Sequence, residues 1–237
     1  VSDSPLAVVL QFALPAIPAI LAITLHEAAH GYAALAMGDD TARLAGRLSL
    51  NPLRHVDRVG TIIVPAVLFI SQYLAFGRAG IMFGWAKPVP VAAWKFRSPR
   101  RGMMFVAAAG PAMNFFLAWL GALLRHITIE QTGYGILADD FLQYFILYNL
   151  ALGLFNLLPV PPLDGGRIMV GLLPERAAIV WARLERVGLV LVILTVAVLP
   201  SLLGEFGIRF DPIGTVLRTV LPRAFDLIDY LAGLHDN

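Results

Sequence analysis

Long apolar runs separated by short polar joints set the pattern of this chain. The first run covers about Leu6 to Met37 and has no charged residue before Glu27. It exceeds the roughly 20 residues a helix needs to cross the hydrocarbon core of a bilayer. Pro15 and Pro18 are expected to kink or break its first half, and Gly38 to Asp40 ends it. Residues 41–58 are polar and basic; "RLAGRLSL" alternates loosely, which fits a short strand or hairpin, and "NPL" is turn chemistry. An apolar stretch over 59–83 contains Pro65 and leads into the basic segment 87–101. Further spans are expected at about Met103–Leu124, Phe141–Leu158 and Val187–Leu203. From Asp211 to Leu234, apolar residues recur at helical spacing between Arg218, Arg223, Asp226 and Asp229, as in a helix lying at a membrane interface.

The placement of charge orients these elements. Cytoplasmic loops carry an excess of Lys and Arg. Both 41–58 and 87–101 are basic, so both are expected on the cytoplasmic side, and 59–83 then enters and leaves on the same side as a re-entrant or surface segment. The loop 126–140 has acidic residues and lies outside; Arg167 to Arg186 lies inside. The expected fold is an all-α integral membrane protein. It is a polytopic helix bundle of about five spans, with a small β-hairpin or re-entrant element and a C-terminal interfacial helix. Residues 1–237 are expected to form a single membrane-embedded domain, multi-pass, in a prokaryotic cytoplasmic membrane.

Composition agrees. The chain is 58% hydrophobic and 14% charged, whereas a soluble domain carries about 25% charged residues. A net charge of +2 is too weak to argue for nucleic acid, so none is expected as a partner. There is no cysteine, so a metal must be held by His, Asp or Glu. The opening "VSDSPLAVVL" has no basic region, so no cleavable signal peptide is expected.

Inside the first apolar run lies "HEAAH", residues 26–30. On a helix, His26 and His30 project from one face at i and i+4. That spacing lets both reach one zinc, with Glu27 to the side, placed to act on water without being a ligand. Ionisable groups in an apolar span are expensive and default to function; the rival reading is a polar cluster tying helices together. A catalytic zinc takes three protein ligands. Acidic candidates for the third are Asp39, Asp40, Asp57, Glu130, Asp139, Asp140 and Asp164. Asp164 stands out in "FNLLPVPPLDGGRI", following an apolar span among prolines and glycines; an ordinary turn explains "LDGG" equally well by spacing alone. Asn114 and Asn156 are amides in apolar helices, suited either to an oxyanion or unwound substrate or to interhelical hydrogen bonding. Gly110 and Pro111 are read as shaping helix packing. His55 and Asp57 read as a surface turn.

HEAAH, "AGPAMN" and "NLLPVPPLDGGRI" together resemble the site-2 protease family of intramembrane zinc metalloproteases, in its compact bacterial form without PDZ or CBS domains. "GRLSLNPLRHVDRVGT" and "FGWAKPVPV" extend the resemblance over roughly residues 20–170. It implies one zinc per chain on His26, His30 and Asp164, with Glu27 as general base. It also implies substrate-positioning or transition-state roles for Asn114 and Asn156. The expected activity is hydrolysis of peptide bonds within or near transmembrane segments of membrane-protein substrates, with the site nearer the cytoplasmic side. The bilayer and a transmembrane substrate are the expected partners. A zinc- or proton-coupled transporter and a catalytically silent scaffold are the alternatives; the first needs more polar residues across the membrane, the second the loss of Glu27.

Overall fold

The computed structural model describes residues 5–76, 86–128, 133–208 and 210–233. Ten α-helices form among these residues, and no strand does. Helix α1 is Pro5–Ala36 and runs unbroken through Pro15 and Pro18. Pro18 is fully buried, so packing holds the helix where its hydrogen bonds are lost. Short α2, Thr41–Leu44, and a 3-10 turn at Pro52–His55 occupy the stretch expected to hold a strand or hairpin. Two features override the loose alternation of "RLAGRLSL". Asp40 and Thr41 begin a helical turn that ends at Gly46, whose φ is 64°, and Asn51 caps the 3-10 turn by accepting from Leu53 N–H. A π-helical turn, Arg58–Ile63, capped by Asp57, leads into α3, Val64–Phe76. The expected re-entrant path over 59–83 continues outside the described residues, as do Glu130 and the motif residues Phe83 to Trp85.

Helix α4, Pro99–Thr128, is the centre of the molecule. It packs against α1, against α5 (Gly133–Asn156), against α6 (Asp164–Leu172) and against α10 (Pro212–Ala232). Small residues permit this: Ala118 and Ala122 of α4 are fully buried with Ile146 and Leu150 of α5 and Ile228 and Ala232 of α10. A second core joins Ala34 of α1 to Val106 of α4 and Phe96. Helix α7 is Glu175–Arg183; α8, Glu185–Ile193, and α9, Leu199–Glu205, are joined by a π-helical turn at Leu194–Val198.

Among the described residues, two helices, Ala13–Ala36 and Pro99–His126, are long and apolar enough to cross a membrane. The C-terminal helix forms where its periodicity places it, but part of its apolar stripe packs on protein. Ile228 and Ala232 are buried against α4 and α5, the Trp119 indole N–H reaches Leu231 O at 3.4 Å, and His126 Nε2 donates to Ala232 O at 2.7 Å. Periodicity identifies an apolar face without saying whether lipid or protein covers it. His55 likewise is buried rather than part of a surface turn, its Nε2 donating to Ser49 O at 2.8 Å.

Candidate metal centre

Two helices bring three atoms to a common point. His26 and His30 come from one face of α1, one turn apart. Asp164 is the first residue of α6, where a carboxylate also suits the helix dipole. It arrives there because the chain turns sharply after α5. A Cβ on Gly165 would lie 2.3 Å from Leu157 O and one on Gly166 2.4 Å from Pro161 N, so only glycine lets the start of α6 pack on the preceding turn. At the other end of α6, Arg100 of α4 donates through Nε to Val170 O at 2.7 Å and through Nη2 to Gly171 O at 3.0 Å and to Leu173 O. Arg100 thus occupies carbonyls that the helix end would leave unpaired.

The resulting triangle is tight. His26 Nε2 and His30 Nε2 are 3.0 Å apart, and Asp164 Oδ2 lies 3.2 Å from the first and 3.3 Å from the second. A tetrahedral zinc with ligands at about 2.0–2.1 Å has edges of about 3.3–3.4 Å. The triangle is therefore close to one face of such a tetrahedron.

The hydrogen bonding around it shows why a cation fits. His30 Nδ1 donates to Val106 O at 2.7 Å, and His26 Nδ1 donates to Asn114 Oδ1 at 2.6 Å. In the neutral rings both Nε2 atoms are then bare lone pairs. They face each other and a buried carboxylate oxygen that finds no hydrogen-bond donor. Three electron-rich atoms at these separations repel unless positive charge sits among them. A divalent metal supplies that charge, and neutral imidazole with a carboxylate is a common zinc donor set. Helix α4 leaves room for it: Gly110 faces the rings, and a Cβ there would stand 2.5 Å from His30 Nε2 and 2.6 Å from His26 Cε1. The glycine expected to serve helix packing borders the centre itself.

Glu27 is half-buried beside this cluster, and its Oε2 accepts from Val89 N–H at 3.1 Å. Val89 belongs to segment 86–92, which is neither helix nor strand and is fastened at several points. Lys87 N–H donates to His55 O at 2.8 Å, Arg47 Nη2 donates to Lys87 O at 2.6 Å, and Ala92 N–H donates to Asp39 Oδ2 at 2.6 Å. Asp39 is fully buried just past α1. Burial pushes its carboxyl up, but bonds from the Thr41 hydroxyl, Ala92 N–H and Thr41 N–H, with Lys95 beside it, outweigh burial and hold it below the ordinary value. The Asp40 contact, more than any other, raises Lys95 above its ordinary value.

The structure unites His26, His30 and Asp164 and sets Glu27 beside them. Asn114 is fully buried and touches His26 rather than open space. Asn156 donates to Leu152 O of its own helix at 3.0 Å, a local bond. Of the other acidic candidates, Asp39 and Asp40 serve the clamp on segment 86–95, Asp57 caps the π-helical turn, and Asp139 pairs with Arg125 at 2.8 Å. Sequence reasoning passed over Arg100, taken as an interface marker, and Asn149 of α5, whose Oδ1 accepts from Asn114 Nδ2 at 2.9 Å. Asn149 was open to detection as a further amide in an apolar run, seven residues before Asn156. Nothing in the sequence pairs Arg100 with carbonyls seventy residues on.

Two histidines and an aspartate with an adjacent glutamate, held in apolar helices, define the class of an HExxH metallohydrolase. The comparisons with known proteins carry this to a family. The model of peptidase family M50 matches residues 126–199. YwhC of Bacillus subtilis, named as a candidate zinc metalloprotease, is 40% identical over 177 residues, covering 72% of this chain and 74% of that one. Rip2 of Mycobacterium tuberculosis, similarly named, is 29% identical over 147 residues, covering 62% of this chain and 52% of its own length. Zinc metalloprotease MJ0392 of Methanocaldococcus jannaschii is 31% identical over 90 residues, 38% of this chain and 25% of that one. No solved structure matches. The chain belongs to peptidase family M50, the site-2 protease family, and is a membrane metalloprotease of that family.

Proposed function

We propose that this chain is a zinc endopeptidase that hydrolyses peptide bonds within or near transmembrane segments of membrane-protein substrates. The observation that carries the reading is the triangle of His26 Nε2, His30 Nε2 and Asp164 Oδ2, three bare acceptors converging inside apolar helices. These residues hold one zinc. Bound there, zinc supplies Lewis acidity toward a carbonyl and makes water nucleophilic at neutral pH.

The chain's own groups do the rest. Glu27 takes the proton of the attacking water on its carboxylate and passes it to the leaving amine. Val89 N–H holds one oxygen of that carboxylate, which leaves the other free to turn toward the water. An apolar groove of about 520 Å3 between α1 and α4 runs beside the HEAAH turn, lined by Leu25, Ala28, Ala29, Tyr32, Ala112 and Met113. Its lining supports a lipid-soluble substrate segment. A helical substrate must unwind to expose a carbonyl, and segment 86–92 beside Glu27 is free of helix, with Lys87 and Val89 biased to extended backbone by the prolines that follow them. Pro88 and Pro90 carry no N–H, so on the edge of that segment where they lie an added strand can bond only to carbonyls. We place the protein as a multi-pass protein of a prokaryotic cytoplasmic membrane. The basic loops 41–58 and 87–101 put the zinc site near the cytoplasmic face, and water enters from there.

The test is cleavage of a tagged single-span substrate in membranes by wild type and by Glu27→Gln. Wild type yields a shorter product and the variant does not. Equal cleavage by both, or zinc content unchanged in His26→Ala and Asp164→Ala, ends the metalloprotease reading and leaves the transporter or the scaffold.

A further inference from the structure

The buried amides behind His26 form a directed chain. Asn149 Nδ2 donates to Phe145 O at 2.8 Å. That carbonyl can only accept, so the amide nitrogen of Asn149 must face it and Oδ1 must face the other way. Oδ1 meets Asn114 at 2.9 Å and therefore requires a donor there, which fixes Nδ2 of Asn114 on that side. Ala22 O, at 3.4 Å from the same nitrogen, enforces the same choice more weakly. With its nitrogen committed, Asn114 has only Oδ1 to offer His26, at 2.6 Å. An acceptor at that position selects the Nδ1–H form of the ring and leaves Nε2 bare. The whole sequence of orientations follows from one obligate acceptor, Phe145 O, two helices away from the ring it controls. Both amides are fully buried, so water cannot stand in for a missing partner.

We propose that Asn149 is a positioning residue for the metal centre: acting through Asn114, it holds His26 in the tautomer that presents Nε2 to the cation. The inference rests on the zinc reading of the site. Asn149 touches neither histidine nor Asp164, and an amide in an apolar span is otherwise explained as interhelical glue. The two roles differ in one respect. Glue acts by holding α4 to α5 and leaves the His26 tautomer unchanged, which the ring nitrogen NMR shifts of the metal-free protein report. A relay acts only while residue 114 has two different faces. With Asn149 gone, the Asn114 amide is free to turn over and offer N–H to His26 Nδ1, which then carries the lone pair and puts the proton on Nε2, where the cation belongs. A carboxylate at 114 has no wrong face, because either oxygen accepts from Nδ1–H.

The experiment is a double-mutant cycle on the full-length protein in detergent, with zinc affinity measured by competition against a chromophoric chelator. Asn149→Leu in the wild-type background is expected to weaken zinc binding by at least 10-fold, within the roughly 10–100-fold range of lost outer-shell partners. In the Asn114→Asp background the same change is expected to alter affinity by less than about threefold. Asn149→Thr keeps both directions, because a helical hydroxyl donates to the i−4 carbonyl, here Phe145 O, and keeps a lone pair for Asn114; it should bind zinc within about threefold of wild type. Equal losses from Asn149→Leu in both backgrounds, no loss in the wild-type background, or a His26 ring that keeps its Nδ1–H form in metal-free Asn149→Leu, overturn the relay and leave the glue. Should Asn149→Leu fail to fold, Asn149→Thr decides: a 10-fold loss there overturns the proposal. Zinc binding by wild type and its abolition in His26→Ala are measured alongside. If those two proteins bind zinc alike, the metal site itself fails, an outcome distinct from failure of the relay.

Discussion

Gly110 offers a sharp perturbation of the centre because adding one methyl group there has opposite consequences for metal and for helix. The residue lies inside α4 with the two imidazoles against it. An alanine Cβ would stand 2.5 Å from His30 Cε1 and Nε2 and 2.6 Å from His26 Cε1. Ordinary contact begins near 3.4 Å, so each ring must retreat by about 0.8–0.9 Å. Neither ring moves freely. His30 is tied through Nδ1 to Val106 O at 2.7 Å, one turn back on the same helix, and His26 through Nδ1 to Asn114 at 2.6 Å. Zinc sites tolerate about 0.2 Å in ligand distance, roughly a quarter of the required retreat. Displacing two of three protein ligands by that amount should weaken zinc binding by about 100-fold or more, about 2.8 kcal/mol. The metal-free fold responds differently: alanine gains ~1 kcal/mol of helix propensity, against ~1–3 kcal/mol for overpacking. Thermal unfolding of the chelator-treated variant should therefore shift by only a few degrees. Gly121→Ala, on the same helix, is the control. Its Cβ would meet Ile146 Cγ1 at 3.0 Å and Phe145 Cδ1 at 3.2 Å, core side chains away from the histidines, and zinc affinity should stay at the wild-type value. Zinc competition and a melting curve on each protein complete the assay. Wild-type affinity in Gly110→Ala would mean that the metal is not held where the two Nε2 atoms meet, and the reasoning fails.

Three further outcomes follow from the supports around the centre. Arg100→Ala should free the end of α6, let Asp164 drift and lower zinc affinity by about 10-fold; Arg100→Lys cannot span Val170 O, Gly171 O and Leu173 O together and should restore little of it, as the same competition assay will report. Val89→Pro deletes the N–H that holds Glu27 while keeping an extended backbone between Pro88 and Pro90; kcat should drop by roughly 10-fold with zinc content unchanged, whereas Val89→Ala, which keeps the donor, should not show that loss. Asp39→Asn should cost about 2 kcal/mol at neutral pH, since a buried acceptor of several donors is lost. The native Asp39 carboxyl lies below its ordinary value of 3.8, so its stabilisation is complete above that value and fades as pH falls through the lowered one. Melting curves from pH 7 to pH 3 should show a constant gap between wild type and Asp39→Asn that narrows only below about pH 4.

What the sequence made legible and what it did not divides along a physical line. Polar residues stranded in apolar runs are visible because the bilayer makes them expensive, and His26, Glu27, His30 and Asn114 were found that way, whereas Asp164 stood out only by its place after a span, among prolines and glycines. The long helices α1, α4 and α5 were visible from run length, and the C-terminal helix from its period. The strand over 41–58 was misjudged because a capping turn at Asn51 and a left-handed Gly46 override a weak alternation, and such local chemistry outweighs a pattern only a few residues long. Direction was the harder loss. A sequence shows that an asparagine lies in a span, but not whether it points at a substrate, a ring or another amide. Asn114 has both ends of its side chain occupied, by His26 on one side and Asn149 and Ala22 on the other. It therefore has no donor left for an oxyanion unless the bonds that orient His26 are broken. The amide that looked suited to the reaction is spent on preparing the ligand, and the catalytic demand for a donor shifts to groups not yet committed. Asn156, bonded among the described residues to Leu152 O of its own helix, keeps an amide that is not tied to a metal ligand.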